Sequence, residues 1–264
     1  MNITIFTSNK LRHNNLISEL SYVCDNLYCI QECKEALIGR FSGSDEKSDI
    51  MSTYIQNVAH AEKSIFSKMR PSSGNISLKK IKMGELSLLK EKSLSKFLQS
   101  DIYIVFGSSY IKGWLIDYLV SKNAVNIHMG LSPYYRGSGC NFWALHDDQP
   151  QYVGSTIHRL SHGLDSGKII AHALPAFDGE DVFEFTMKSV MAAQKLILKY
   201  VEDKKICYLE SFNQEKSHEV RYSKYSDFTI DVIKRFNSMN INLHKKFNSK
   251  SLIYPELIRP LFYE

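Results

Sequence analysis

Three residues carry the chemistry to which this sequence is best suited. Asn126 and His128 stand two apart in Ala124-Val125-Asn126-Ile127-His128, and Asp165 follows in Gly163-Leu164-Asp165-Ser166-Gly167. The alternation in the first segment is that of a strand end, which turns Asn126 and His128 toward one cleft. The glycine-flanked segment reads as a loop that can bring Asp165 to the imidazole. An amide to donate to an oxyanion, a ring to accept a proton and a carboxylate to orient or relay are what acyl transfer to an amine requires. Singly, each residue has an ordinary reading: Asn or His at a strand end as a hydrogen-bonded turn or core residue, Asp between glycines as a turn residue. Their order and spacing together point to catalysis.

Such a set needs strand ends lying side by side. Residues 3–6 form a short β-prone run, 7–10 a polar turn, and Leu11, Leu16, Ile17 and Leu20 recur at near-helical spacing. A second apolar run covers 27–30, helical character extends over 48–69, and Arg70-Pro71-Ser72-Ser73-Gly74-Asn75 breaks it. Ile102-Tyr103-Ile104-Val105-Phe106, bounded by Asp101 and Gly107, is the clearest buried strand. A helix over 113–120 leads to the Asn126 strand; 155–160 reads as a strand and 178–204 as a long amphipathic helix with an acidic start. Strands alternating with helices predict an α/β fold with a doubly wound, mostly parallel, Rossmann-like sheet. Residues 1–205 read as a catalytic domain and 206–264, with a helix over 227–239, as a small C-terminal subdomain. There is no G-x-G-x-x-G fingerprint, so a nicotinamide site has no local support.

The 264 residues, 44% of them hydrophobic, suit one large domain or a domain with a small appendage. A net charge of +5, with lysines scattered among acidic residues, does not demand a nucleic-acid partner. No apolar run approaches the roughly 20 residues of a membrane span and the first residues lack a signal-peptide pattern, so a cytoplasmic location without membrane contact is expected. Cysteines 24, 29, 33, 140 and 207 have no paired CxxC spacing and read as free thiols, with a metal cluster of Cys24, Cys29 and Cys33 as the alternative.

Two other function classes fit parts of the chain. A metal-dependent hydrolase would use His158 and His162, four apart, with His128, His146, Asp147, Asp148 and Asp165 near in sequence, but a strand at 155–160 would splay the two histidines. A non-catalytic nucleotide-binding module would hold a phosphate on Ser8-Asn9-Lys10-Leu11-Arg12-His13 at a helix start.

Asn126-Ile127-His128, Pro133-Tyr134-Tyr135-Arg136-Gly137 and Gly163-Leu164-Asp165-Ser166-Gly167 together resemble the motifs of the folate-dependent formyltransferases, with Asn141-Phe142-Trp143-Ala144-Leu145 and Gly154-Ser155-Thr156-Ile157-His158 similar to the family's connecting helix and strand. The resemblance is strongest over about residues 100–175. It implies 10-formyltetrahydrofolate as formyl donor and no metal. Asn126 would bond the formyl oxygen, His128 would polarise the same centre and manage the amine's proton, and Asp165 would orient His128 and relay a proton through water. The pterin would meet backbone groups of Tyr110, Ile111, Lys112, Leu160, Ser161 and Leu164, although 109–113 departs from the family's more apolar pattern. Asn9, Lys10, Arg12, Met129, Tyr135 and Arg136 are the expected acceptor-binding residues. The tail is too short for a tRNA-gripping barrel and the first turn lacks a glycine-rich phosphate loop. The resemblance is therefore closest to the sugar N-formyltransferases, which implies an amino-deoxy sugar acceptor, nucleotide-linked or of nonulosonic type, in glycan precursor biosynthesis, and allows a homodimer. Phe142 and Trp143 read as helix packing, and 222–225 as surface.

Overall fold

The computed structural model describes residues 1–34, 46–249 and 252–263. In chain order the elements are β1 (Asn2–Ser8), α1 (Leu11–Leu20), β2 (Asn26–Cys33), α2 (Glu46–Phe66), β3 (Ile76–Lys82), α3 (Glu91–Leu94), β4 (Ile102–Phe106), α4 (Trp114–Ser121), β5 (Val125–His128), β6 (Tyr135–Gly137) and α5 (Cys140–His146). There follow β7 (Ser155–Arg159), β8 (Ile169–Pro175), α6 (Val182–Glu202), β9 (Arg221–Ser223), α7 (Ile230–Ser238), α8 (Leu243–Phe247) and β10 (Leu261–Tyr263). Among the described residues eight strands form one sheet in the order β10-β8-β7-β5-β4-β1-β2-β3, in which only β7 runs against its neighbours. The doubly wound, mostly parallel expectation holds. The strand order reverses between β1 and β4, so the crevice for a ligand opens at their carboxyl ends.

The sheet is buried on both faces, which is why β4 is an unbroken apolar run. Ile102, Ile104 and Phe106 join Ile3, Ile5, Val125 and Ile127 in a core covered by α1 and α6. Tyr103 and Val105 face the other way, with Leu115 and Leu119 of α4. Helix α6 starts where Asp181 Oδ1 accepts the N–H groups of Phe183 and Glu184 at 2.7 and 2.9 Å. It buries Val190, Leu196 and Ile197, each worth about 1.5–3 kcal/mol in transfer free energy. Among the described residues no helix is long and apolar enough to cross a membrane.

The chain beyond α6 folds back onto this body. Strand β9 pairs with β6, and β10 pairs with β8 in the main sheet. The buried His172 ring of β8 locks this arrangement to the loop after β5: its Nε2–H donates to the Ser132 carbonyl at 2.8 Å, and its Nδ1 accepts the Ile258 N–H at 2.9 Å. The Ile258 donor requires an unprotonated Nδ1. Burial accordingly pushes the His172 pKa down to about 4, against a smaller opposing pull from the Ser132 carbonyl.

A histidine whose folded pKa is depressed binds more protons in the unfolded chain, so stability falls as pH drops from 6.5 toward 4. Losing all of the His172 contribution amounts to roughly 3 kcal/mol. His13 and His128, lowered first of all by burial, add in the same direction. Chemical denaturation at stepped pH should show this loss, with a shallower slope in His172→Gln; an equal slope would remove His172 from the account.

Candidate active site

Asn126 and His128 share the face of β5 that looks toward α4, as two-residue spacing dictates. Asn126 stands opposite His158 in the antiparallel β5–β7 ladder, with its Nδ2 3.0 Å from His158 Nε2. The His158 Nδ1–H donates to the Arg159 carbonyl at 2.8 Å, so the neutral ring offers its Nε2 lone pair to one amide hydrogen of Asn126. The second amide hydrogen stays available. A register shift in the β7–β8 ladder lies between Ile157 and His158, a place where irregular pairing re-aims a side chain.

The loop after β7 brings Asp165 to both rings: its Oδ1 is 3.4 Å from His128 Nδ1 and 3.8 Å from His158 Nε2. Side chains from outside the loop hold it near Asp165. Arg136 Nη2 donates to the Leu164 carbonyl at 3.0 Å, and Gln214 Nε2 donates to the carbonyls of Asp165 and Gly167, both at 2.8 Å. A Cβ on Gly167 would sit 1.7 Å from the Arg159 carbonyl oxygen, so only glycine lets the loop return this closely to β7. Across the His128 ring, Nε2 lies 3.4 Å from Cys140 Sγ. Gly130 passes the same edge, where a Cβ would stand 2.6 Å from Nε2.

Charge is distributed unequally between these groups. Burial alone pushes the Asp165 carboxyl up, but its neighbours His128, His158 and Arg136 together outweigh it and set the pKa at about 2. Burial lowers His128 below the ordinary histidine value despite the opposing pull of Asp165. Near neutral pH the site therefore holds an ionised carboxylate beside a neutral imidazole.

Two cavities flank the set. The smaller, ≈ 120 Å³, lies at the carboxyl ends of β4 and β5 and is lined by Asn126, His158 and Asp165, the Ser108–Ile111 loop, and Leu160, Ser161 and Leu164. The larger, ≈ 460 Å³, begins at Met129 beside His128 and is walled by Lys10, Arg12 and Lys34 on one side and by Tyr54, Phe142, Phe183, Phe228 and Phe236 on the other. Arg12 Nη1 pairs with Glu62 Oε1 at 2.9 Å, and Arg12 Nε is buried with no hydrogen-bond partner among the described residues. Partial burial first, then Arg12, push the Lys10 ammonium down, with Lys34 adding to it and Glu62 opposing.

Residues 36–201 match the family model described as Formyl transferase. The chain belongs to this family. Among curated formyltransferases, the methionyl-tRNA formyltransferase of Agathobacter rectalis is 27% identical over 139 residues, which is 51% of this chain and 44% of that protein; the chain thus spans less than half of that relative. Among solved structures, a sugar N-formyltransferase from Shewanella sp. superposes with a TM-score of 0.52 at 16% identity, covering 86% of this chain and 78% of the other. Glycinamide ribonucleotide transformylase 1 from Symbiobacterium toebii gives 0.53 at 13% identity, covering 81% and 94%. These likenesses show a shared formyltransferase fold.

Within that fold the expected residues divide. Asn126, His128 and Asp165 come together. Tyr110, Ile111, Leu160, Ser161 and Leu164 line the smaller cavity, whereas Lys112 is exposed outside it with its ammonium 5.5 Å from the Tyr110 ring. Lys10, Arg12 and Met129 line the larger cavity. Asn9 does not; its Oδ1 accepts the Lys34 N–H. Tyr135 is buried in the core with its hydroxyl 3.3 Å from Asp147, and Arg136 braces the Asp165 loop while pairing with Glu219 at 3.1 Å. Phe142, expected only to pack, and Lys224 and Tyr225, expected as surface, all line the larger cavity. The sequence marks His158 as a hydrolase ligand and as the end of the family-like connecting strand, not as a partner of Asn126, and His162 stands exposed against Asp117 at 2.8 Å instead of beside it.

A neutral His128 is the form that accepts a proton. The rate of formyl transfer should therefore be lost toward acid with an apparent pKa below 6.5, and Asp165, ionised down to about 2, should not contribute to that limb. A kcat/KM profile whose acid limb lies above 6.5 would contradict this assignment.

Proposed function

We propose that this formyltransferase moves a formyl group from 10-formyltetrahydrofolate to the amine of an amino-deoxy sugar. The observation that carries the reading is the meeting of Asn126, His128 and Asp165 between two cavities of different character. The smaller suits a flat pteridine edge: Val105, Ile111, Ile116 and Leu160 supply apolar walls, and Ser108, Ser161 and backbone groups supply polar ones. Bound there, the folate supplies an activated formyl carbon.

The chain's own groups do the rest. The free amide hydrogen of Asn126 donates to the formyl oxygen as negative charge gathers on it. His128 accepts the proton of the attacking amine at Nδ1, and the resulting imidazolium faces the Asp165 carboxylate. The imidazolium then gives up this proton, through a water held on Asp165, to the departing folate nitrogen, which restores neutral His128. His158 holds the Asn126 amide in its donating orientation.

The larger cavity supports the acceptor. Lys10, Arg12 and Lys34 favour an anionic carrier, a nucleotide phosphate or the carboxylate of a nonulosonic acid. The aromatic wall offers faces on which the C–H side of a deoxy sugar stacks. A glycan-precursor pathway in the cytoplasm fits such an acceptor.

Asn126→Ala should reduce kcat by about 10²–10³-fold with the fold intact. Arg12→Ala should raise the KM for the acceptor about tenfold or more while leaving the donor KM unchanged. A panel of nucleotide-linked amino sugars and amino nonulosonic acids, assayed with 10-formyltetrahydrofolate, tests the acceptor class. Formylation of methionyl-tRNA or glycinamide ribonucleotide with none of the sugars accepted would overturn it.

A further inference from the structure

The wall of the smaller cavity rests on a residue that takes no part in the chemistry above. Glu32, at the end of β2, is fully buried, and both of its oxygens are in use. Oε2 accepts the Ser109 N–H at 2.5 Å, and Oε1 accepts the Ser109 Oγ–H at 2.7 Å and the Gly84 N–H at 2.9 Å. Ser109 belongs to the cavity-lining loop that follows β4, and Gly84 to the turn that follows β3. One carboxyl group thus ties β2, the turn after β3 and the loop after β4 at the carboxyl end of the sheet.

This grip falls on a part of the cavity wall that lies outside the strands and helices. Residues 108–113 lie outside regular structure, and the backbone of this loop is what a pteridine edge would meet. The loop's other hydrogen bonds lie at the surface: Ser87 Oγ accepts the Lys112 N–H at 2.9 Å and donates to the Tyr110 carbonyl at 3.3 Å, and the Tyr110 hydroxyl donates to the His162 carbonyl at 2.6 Å, while Ile111 packs into the core. A buried acceptor making three bonds, two of them to one residue, fixes Ser109 far more tightly.

We infer that Glu32 is a positioning residue for the formyl donor, holding the Ser109 loop in the conformation that receives the folate. The inference rests on the donor occupying the smaller cavity. Removing the carboxyl group frees the Ser109 and Gly84 N–H groups, the loop relaxes, and donor binding must then reorder it. Glu32→Gln keeps one acceptor oxygen but turns an N–H₂ group toward one of the donors, so it is the milder change.

The test is calorimetric titration of 5-formyltetrahydrofolate into the wild type, Glu32→Gln, Glu32→Ala, Ser109→Ala and a cavity-filling Ser108→Trp, with steady-state kinetics alongside. Glu32→Ala should weaken donor binding about tenfold or more, with Glu32→Gln and Ser109→Ala between it and wild type. At saturating donor, kcat of the Gln variant should stay within about twofold of wild type and the acceptor KM should not move. A merely structural role would lower the folded fraction, and with it Vmax, while leaving donor Kd and KM unchanged; that result overturns the inference. Ser108→Trp separates the two failures. If it leaves donor affinity untouched, the donor does not bind in this cavity and the underlying reading fails; if it abolishes binding while the Glu32 variants bind normally, only the Glu32 inference fails.

Discussion

A single buried negative charge organises the site. Moving a carboxylate out of water costs several kcal/mol unless neighbours compensate, and Asp165 is compensated by two imidazoles and the Arg136 guanidinium. The backbone is as constrained as the charge. Asp165 has φ +46°, in the left-handed region, and the loop is held there by Arg136, Gln214 and the glycine contact with β7. These elements exist to deliver one oxygen to within 3.4 Å of His128 Nδ1. With the carboxylate in place, a ring that burial keeps neutral can take up a proton without leaving an unpaired charge in the interior.

The sheet places this pair at the crevice on which both cavities open. The reversal of strand order between β1 and β4 opens the crevice, and β5, next to β4, ends at its floor. The loop after β4 forms one cavity, and the start of α1 together with α2, α5, α6 and α7 forms the other. The segment beyond α6 therefore does more than extend the chain. Phe228 and Phe236 complete the aromatic wall, and Arg221 bonds Asp147 at 2.7 and 2.8 Å while its guanidinium lies 4.6 Å from the Trp143 ring, fixing that segment to α5.

What the sequence disclosed and what it hid have physical causes. Strand β4 announced itself because both of its faces are buried, and the pairing of Asn126 with His128 followed from the period of a strand. Strand β3 gave no such signal, since it is a sheet edge whose lysines face solvent. His158 acquires its role from cross-strand register with Asn126, thirty-two residues away, which no local pattern encodes. Glu32, Tyr54 and Phe236 likewise gain meaning only when β2, α2 and α7 are brought to the crevice. Tyr135 illustrates the reverse case: it lies within a motif, yet its side chain is core and only the adjoining backbone serves the site.

The central claim is that His128 is a neutral base whose proton affinity is raised by a permanently ionised Asp165. Nitrogen-15 NMR titration of the histidine rings, in the wild type and in Asp165→Asn, measures this directly. The account predicts a wild-type His128 pKa below 6.5 that falls further in the variant, because the charge opposing the effect of burial has gone. A wild-type value above 6.5, or one that does not move when Asp165 loses its charge, would contradict it.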